Sequence, residues 1–239
     1  MEQLTITAII PARGGSKGIP RKNLFPINGK SLIQYTVEAA QNSTLLNQVM
    51  LNSEDQEIID FCAALGVDVS YRRPFKLAGD ASRQIHAILD WLDWMEQHQR
   101  LPDVVVLLQP TSPLRTAALI DAALKVFLQN PTVSLVGVNA MQEHPAKSIH
   151  KREDGWQYLL DSGDYVPRRQ EMADDFFVIN GSIYIATPDW IRLHQGFTVE
   201  GQSHLFVTNQ AEGLDVDTLL DVSIAEAYLK NALKTQNKQ

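Results

Sequence analysis

The feature that most constrains the fold is an alternation of short β-branched apolar runs with longer helical segments through the first 140 residues. The apolar runs predict strands over 4–10, 49–52, 67–71, 103–109 and 133–138. Helical spacing, capping residues and stop signals predict helices over 31–41, 53–66, 83–98 and 116–129. Such alternation is typical of an α/β protein with a parallel sheet covered on both faces, and 103–109 is expected to lie centrally.

The alternation stops after Ala140, where a polar and mixed stretch over 141–175 begins. We interpret this stretch, here called the arm, as a hairpin-like excursion from the sheet. Long polar insertions in compact domains are usually functional or lie in an interface. Strand character returns over 176–186, and a last helix is predicted over 218–232. A chain of 239 residues suffices for one α/β domain with a sizeable core.

Charge and cysteine content narrow the function class. The net charge of −7 argues against a nucleic-acid-binding protein, which normally presents a basic face. The apolar runs are too short to span a membrane, and the acidic N-terminus lacks the pattern of a signal peptide. The single cysteine, Cys62, excludes an intramolecular disulfide and fits the cytoplasm. The histidines have no zinc-site spacing.

Within this acidic chain, residues 11–23 form a basic loop directly after the first predicted strand. It holds no acid and four cations: Arg13, Lys17, Arg21 and Lys22. Ligands often bind at the carboxyl ends of parallel strands, where backbone N–H groups and guanidinium groups hold phosphate. The loop glycines are expected to adopt positive φ and to approach the ligand closely: Gly14, Gly15 and Gly18. The pattern matches neither common phosphate-loop motif, and the alternative is a flexible basic turn.

The segment IIPARGGSKGIPRKN closely resembles the nucleotide loop of CMP-sugar synthetases of the sialic acid type, and further family motifs follow in order. These are GKSLIQYTVEAA, LNSEDQEI, YRRPFKLAGDAS, LLQPTSPLR, EHPAK, RRQE, NGSIYIA and LDVDT. The resemblance covers the chain to about Leu229. It implies an α/β, Rossmann-like three-layer nucleotidyltransferase fold with a mostly parallel sheet. It also implies a single cytidylyltransferase domain over 1–239, with 141–175 as a dimerisation and substrate arm.

The resemblance implies two groups of nucleotide-binding residues. Those expected around the CTP triphosphate are Arg13, Gly14, Gly15, Ser16, Lys17 and Lys22. Those expected to read the cytidine are Asn23, Arg73 and Ser82. The alternative for Arg73 is a surface cation beside Pro74. The alternative for Ser82 is the N-cap of the next helix.

The resemblance also implies a set of contacts with an acidic sugar, and a homodimer in which the arm reaches the partner's site. The expected sugar contacts are Gln109, Ser112, Lys147, Arg168, Arg169, Asn180 and Tyr184. Guanidinium groups suit the carboxylate of a 2-keto sugar acid. The alternatives are a turn in which Ser112 bonds its own backbone, a solvated basic face on the arm, and a core position for Tyr184.

Asp215 and Asp217 alternate in LDVDT, so an extended backbone points both carboxylates to one face. The match to the family's D-x-D motif makes them the candidate Mg²⁺ ligands. The alternative is a cap of the last helix by Asp217 or Thr218. In the implied reaction, CTP and the sugar give the CMP-sugar and pyrophosphate. Catalysis is assigned to Arg13, Lys17, Lys22 and Asp217, with Asp217 also a candidate acceptor for the hydroxyl proton.

One departure from the family bears on the sugar. Sialic acid synthetases often carry Arg-Pro before the Asn-Gly pair, and here Val178 and Ile179 occupy those places. The missing basic residue makes legionaminic or pseudaminic acid an alternative to N-acylneuraminate. Two other readings stay open: a non-catalytic nucleotide-binding protein, and a nucleotidyltransferase for another base or sugar. No partner is expected among nucleic acids or membranes.

Overall fold

The structure, a computed structural model, describes residues 4–159 and 176–236. Its centre is a six-stranded sheet. The strands are β1 (Ile6–Pro11), β4 (Gln48–Asn52), β5 (Val104–Leu107), β6 (Leu135–Ala140), β9 (Phe177–Ala186) and β10 (His204–Val207). Their spatial order is β10-β6-β9-β5-β1-β4, so β5 is an inner strand as predicted. Two small hairpins complete the strands: β2 (Pro26–Ile27) with β3 (Lys30–Ser31), and β7 (Ile149–Arg152) with β8 (Gly155–Tyr158).

Six α-helices surround the sheet in the described ranges. They are α1 (Leu32–Gln41), α2 (Gln56–Ala64), α3 (Gln84–Gln97), α4 (Ala117–Phe127), α5 (Pro188–His194) and α6 (Leu219–Gln236). Side-chain caps begin several of them: Asp55 accepts from Ile58 N at 3.0 Å, and Thr116 accepts from Leu119 N at 3.1 Å. No helix in this part of the chain is long and apolar enough to cross a membrane.

The sheet is mixed, with one strand reversed. β1 pairs in parallel with β4 and β5, and β10 pairs in parallel with β6. β9 lies between β5 and β6 and is antiparallel to both. The fold is therefore the predicted α/β arrangement with a mostly parallel sheet.

Two strand predictions differ from the structure. The run 67–71 makes only one bridge, in which Asp68 pairs with Met50. The predicted strand is wrong because the Asp68 carboxylate accepts from Ser70 N at 2.8 Å, a local turn that competes with the ladder. Conversely, β10 was not predicted, since this four-residue edge strand is largely exposed and carries no alternating pattern.

The core lies on both faces of the sheet. Successive residues of β1 point to opposite sides, so Ile10 packs with α1, α2 and α4, whereas Ile9 packs with α3 and α5. Trp91 on α3 is fully buried in the second layer. A smaller cluster around Val216 joins α6 to the β2–β3 hairpin. This packing confirms helical layers on both faces.

The described part of the arm contains the β7–β8 hairpin, in agreement with the predicted hairpin-like excursion. All eight strand residues of this hairpin are exposed. The arm begins and returns at one place, because Met141 N donates to Phe176 O at 2.9 Å and Ala140 pairs with Phe177. Residues 160–175 lie outside the described ranges. The assignment of 1–239 to a single domain stays a prediction.

Candidate active site

A cleft with a cavity volume of about 360 Å³ opens at the carboxyl ends of β1 and β5. It brings together many of the predicted site residues: Arg13, Gly15, Ser16, Lys22, Asn23, Arg73, Ser82, Gln109, Asp215 and Asp217. Residues without a prior assignment also line it, among them Asp80, Gln84 and Thr111. The predicted nucleotide and metal residues therefore share one concave site.

Arg21 anchors the basic loop instead of facing a ligand. It adopts the left-handed conformation with φ 55°, which few non-glycine residues adopt. Its guanidinium donates to both oxygens of Asp55, at 2.6 and 3.0 Å, and also contacts Glu57. Because Asp55 also caps α2, Arg21 ties the loop to that helix. The local charge available to a ligand is carried by Arg13, Lys17 and Lys22.

Two of the three loop glycines, Gly14 and Gly18, allow close approach, but their neighbours are the protein's own groups, and Gly15 has open space beside it. None of Gly14, Gly15 and Gly18 has positive φ, so that prediction is wrong. A Cβ on Gly14 would collide with the Asp55 carboxylate, and one on Gly18 would lie 2.5 Å from Asp217 O. The Gly14 N–H donates to Glu54 Oε1 at 2.7 Å, so this amide is already used and does not point to phosphate.

The three remaining loop cations face carboxylates across the cleft. Arg13 Nη1 lies 2.8 Å from Asp80 Oδ1, and Lys17 Nζ lies 3.1 Å from Asp80 Oδ2. Lys22 Nζ lies 2.8 Å from Asp217 Oδ1. Hydrogen bonds from Lys17 and then Arg13 lower the pKa of Asp80. Sequence reasoning missed Asp80, although the L-A-x-D motif that contains it was recognised.

Arg73 is buried, with 6% of its surface exposed, so its interpretation as a surface cation is wrong. Its Nε and Nη2 donate to Asn52 Oδ1 at 2.5 Å and Asn52 O at 2.8 Å. Burial lowers the pKa of Arg73. Glu54 Oε2 is 4.0 Å from Arg73 Nη1. The hydrogen bonds to Asn52 fix the orientation of the guanidinium group in the wall of the cleft.

Asn23 and Ser82 line the cleft and also make internal hydrogen bonds. Asn23 Nδ2 donates to Arg13 O at 2.9 Å, which fixes the backbone of the basic loop. Ser82 Oγ donates to Lys76 O at 2.9 Å. The N-cap position of α3 is Arg83, so the alternative in which Ser82 caps that helix is wrong.

The Asp217 carboxylate is not used as a helix cap. Asp221 N donates to Thr218 Oγ1 at 3.3 Å, and Thr218 N donates to Asp221 Oδ2 at 2.7 Å. This reciprocal pair satisfies the start of α6 and leaves Asp217 for Lys22 and the cleft. Asp215 retains exposed surface in the cleft. Desolvation by the surrounding protein, opposed by a hydrogen bond from Thr111 and assisted by the charge of Asp217, raises the pKa of Asp215.

Asp215 and Asp217 fit one part of a divalent-metal site. Two carboxylates suit a hard cation that takes its other ligands from phosphate oxygens and water. Within residues 4–159 and 176–236, no group of three or more His, Cys, Asp or Glu side chains is placed to hold a metal ion. A metal ion here would therefore need ligand atoms from a bound substrate.

The turn after β5 connects the two ends of the site. Gln109 lines the cleft, and its Nε2 donates to Gln84 Oε1 at 3.2 Å. Val216 N donates to Thr111 O at 2.8 Å, which fixes the carboxylate segment against this turn. Ser112 is fully buried, and its Oγ has no hydrogen-bond partner in the described chain. The alternative in which its side chain bonds its own backbone is therefore wrong. Ser112 does not line the cleft, and its contact with the sugar stays a prediction.

Arg115, which sequence reasoning did not assign, lies buried beneath this turn. Its Nη2 donates to Thr36 Oγ1 at 2.6 Å and to Gln109 O at 3.0 Å, and its Nη1 contacts Ser182 O. Among the described residues it has no ion pair with a carboxylate, and burial lowers its pKa to about 9. Arg115 joins the strand end that carries Gln109 to β9.

Asn180 belongs to a buried network instead of facing a sugar. Its Nδ2 donates to Asn139 Oδ1 at 2.6 Å and to Thr208 Oγ1 at 2.8 Å. Its Oδ1 accepts from Ser182 N at 3.0 Å and Ser182 Oγ at 2.7 Å. Because the amide is fully used, the predicted direct sugar contact does not match this placement. A Cβ on Gly213 would collide with the same network, so close packing continues into the segment before Asp215.

Tyr184 and Lys147 do not line the cleft. Tyr184 lines a smaller cavity of about 190 Å³, which shares Gln84 with the cleft. Burial and the nearby charge of Asp215 raise the pKa of Tyr184. Lys147 is exposed on the arm. Arg168 and Arg169 lie outside the described residues.

Comparison with known proteins adds to this geometry. Residues 7–173 match the family model described as cytidylyltransferase. The pseudaminic acid cytidylyltransferase of Campylobacter jejuni is 28% identical over 222 residues, which cover 93% of this chain and 95% of that protein. The CMP-N,N'-diacetyllegionaminic acid synthase of Legionella pneumophila is 31% identical over 235 residues, which cover 95% and 97%.

Two further similarities differ in extent. The N-acylneuraminate cytidylyltransferase of Streptococcus agalactiae is 29% identical over 213 residues, which cover 88% of this chain but 50% of that longer protein. A solved structure of CMP:2-keto-3-deoxy-manno-octonic acid synthetase with CTP has a TM-score of 0.72 and 18% identity, with 95% of this chain and 99% of that chain covered. This last similarity supports the nucleotidyltransferase fold.

Proposed function

This chain belongs to the cytidylyltransferase family, and we propose that it transfers CMP from CTP to the anomeric hydroxyl of a sialic-acid-type 2-keto sugar, with release of pyrophosphate. The observation that carries the proposal is one cleft in which Arg13, Lys22 and the Asp215–Asp217 pair face the same space. Cations suit the triphosphate, and the carboxylate pair suits a divalent cation.

In the proposed step, the sugar hydroxyl oxygen attacks the α-phosphorus and forms the new O–P bond. The bond from the α-phosphorus to the bridging oxygen breaks, and pyrophosphate leaves with the electron pair. Arg13, Lys17 and Lys22 stabilise the charge that develops on this leaving group. The hydroxyl proton passes to a base, for which Asp217 is the candidate. Such transfers depend mainly on positioning and charge stabilisation.

We propose Mg²⁺ as the metal, held by Asp215 and Asp217 together with phosphate oxygens, where it would supply positive charge beside the transferred phosphorus. Lys22 already neutralises one oxygen of Asp217, at 2.8 Å. The pair therefore has a counter-charge in the absence of metal. This arrangement is consistent with a metal ion that binds together with the nucleotide.

The sugar is proposed at the level of the nonulosonic acids. The relatives act, by their names, on pseudaminic, legionaminic and N-acylneuraminic acid. The first two match over nearly their whole length. Val178 and Ile179, about half exposed, stand in place of the Arg-Pro pair expected for N-acylneuraminate. The same reaction on legionaminic or pseudaminic acid is therefore an alternative of equal standing.

We also propose a homodimer formed through the arm. The β7–β8 hairpin and the start of β9 expose several large apolar side chains: Ile149, Trp156, Tyr158, Leu159, Val178 and Ile179. An exposed apolar patch of this kind is typical of a protein interface. Such an interface would carry Lys147, Arg168 and Arg169 towards the partner's site. The expected cytoplasmic location also stays a prediction.

The dimer is tested by replacing Trp156, which is 61% exposed, with aspartate. A buried charge in an apolar interface is unfavourable, so Trp156→Asp should shift the protein from dimer to monomer. Light scattering coupled to size exclusion measures the mass. Leu193→Asp, at an exposed apolar residue on α5, is the control and should leave the mass unchanged. A wild-type mass equal to one chain would overturn the proposal.

The function is tested by pyrophosphate release from CTP with a panel of N-acylneuraminic, legionaminic and pseudaminic acids, with and without Mg²⁺. The expected result is Mg²⁺-dependent release with one of these acids. If the protein binds CTP but releases no pyrophosphate in the presence of any of these acids, the non-catalytic nucleotide-binding alternative is favoured. Release from UTP or GTP but not from CTP would redirect the base assignment.

A further inference from the structure

Asp80 is the acid that spans the cleft to the basic loop. It lies just after a 3₁₀ turn at Phe75–Leu77 and lines the cleft wall opposite that loop. One carboxylate oxygen bonds Arg13 at 2.8 Å, and the other lies 3.1 Å from Lys17. The carboxylate thus pairs with two of the three cations that the proposed reaction assigns to the leaving phosphates.

Asp55, another of the acids that bind the basic loop, is held differently. Asp55 caps α2, binds Arg21 through both oxygens and has little exposed surface. The Asp80 side chain is 54% exposed, and its described polar contacts are those with Arg13 and Lys17. Exposed ion pairs contribute little to stability, so the Asp80 contacts exchange at low cost.

We propose that Asp80 is an internal competitor for the phosphates that leave as pyrophosphate: it binds Arg13 and Lys17 in the empty cleft and returns to them as pyrophosphate departs. The inference rests on the proposed function, in which this cleft binds the CTP triphosphate. A ligand that engages both cations must displace Asp80 into solvent. CMP lacks the leaving phosphates and would not displace it.

The proposal predicts the sign of a change in ligand affinity. Removing the Asp80 charge should strengthen binding of every ligand that uses Arg13 and Lys17. Exposed ion pairs are weak, so the gain should be about threefold to tenfold for pyrophosphate and CTP. The affinity for CMP should stay the same. A residue that directly binds nucleotide or metal would give the opposite sign on substitution.

Titration calorimetry on the full chain, with pyrophosphate, CTP and CMP as separate ligands, tests the proposal. Asp80→Asn should bind pyrophosphate and CTP more tightly, and CMP with unchanged affinity. The matched control is Glu57→Gln, which removes one negative charge beside the same loop from the anchored Arg21. This control should leave all three affinities unchanged. Thermal unfolding of both variants checks that the fold is retained.

Three results would overturn the proposal. The first is unchanged or weaker pyrophosphate binding by Asp80→Asn, including weakening seen only with Mg²⁺, which would make Asp80 a metal ligand. The second is an equal gain for CMP or in Glu57→Gln, which would indicate general electrostatics. The third is a wild-type protein that binds no pyrophosphate. If Asp80→Asn shows the expected gains for pyrophosphate and CTP but the wild-type protein has no sugar-dependent turnover, the result contradicts only the proposed function.

Discussion

The two ends of the cleft are built by different means. At the nucleotide end, charged side chains from loops pair across the opening, as Arg13 and Lys17 do with Asp80 and Lys22 does with Asp217. At the end towards β9, buried side chains donate several hydrogen bonds each to neighbouring oxygens, as Arg115 and Asn180 do. The first end is suited to exchanging partners, and the second to holding a shape.

The largest expected effect is on turnover at the nucleotide end. Asp217→Asn removes a proposed metal ligand and should lower turnover about 100-fold or more while the fold is retained. Pyrophosphate release at saturating CTP and Mg²⁺ measures it, and circular dichroism reports the fold. Asp60→Asn, at an exposed acid on α2, is the control. Turnover within twofold of wild type would remove Asp217 from the site.

The next effect is on stability at the other end. Arg115→Met removes the guanidinium hydrogen bonds to the oxygens of Gln109, Ser182 and Thr36, which should cost about 2–4 kcal/mol in the free energy of unfolding. Arg192→Met breaks exposed pairs with Asp93 and Glu96 and should cost less than about 1 kcal/mol. Urea denaturation of both variants compares them. Equal losses would contradict the contrast between the two ends.

The smallest effect joins stability with pH. The pKa of Asp215 is raised in the folded protein, so its ionisation lowers stability as the pH rises above 3.8, its ordinary value, and this loss is complete above the raised pKa. Asp215→Asn should therefore unfold at a slightly higher temperature than wild type near pH 7 and lose this advantage below pH 3.8, the ordinary value. The variant should also lack turnover. A lower unfolding temperature at pH 7 would show that the charge stabilises the fold.

The features that the sequence predicted are those that depend on residues close together along the chain. The basic loop, the alternation in LDVDT, and most helices and strands follow from local pattern, and the structure brings the loop and the carboxylates together. The partners of the loop were not predictable, because Arg21 meets Asp55 and Arg13 meets Asp80 only through the folded sheet. Asn180 shows the same limit, since Asn139 lies on β6 and Thr208 directly follows β10, both distant from Asn180 in sequence.

The loop glycines were identified correctly as a motif, but the reason given for their presence was wrong. Gly14 and Gly18 were expected to approach phosphate with positive φ, and the structure gives them ordinary φ and tight contacts with Asp55 and Asp217. A pattern of glycines reports close approach, but it does not say what is approached. Only the tertiary structure identifies the neighbour as the protein itself.

The reversed strand β9 has a consequence for how this fold can be altered. Because β9 runs against β6, the chain leaves the sheet at Ala140 and re-enters at Phe177, its direct pairing partner. The hydrogen bond from Met141 N to Phe176 O holds the two ends of the arm together at its base. The entropic cost of closing a loop grows slowly with its length. The segment between Met141 and Phe176 can therefore be lengthened, shortened or exchanged at little cost to the stability of the sheet. The arm can therefore be exchanged between relatives while the sheet stays in place, and in the proposed dimer such an exchange would change assembly.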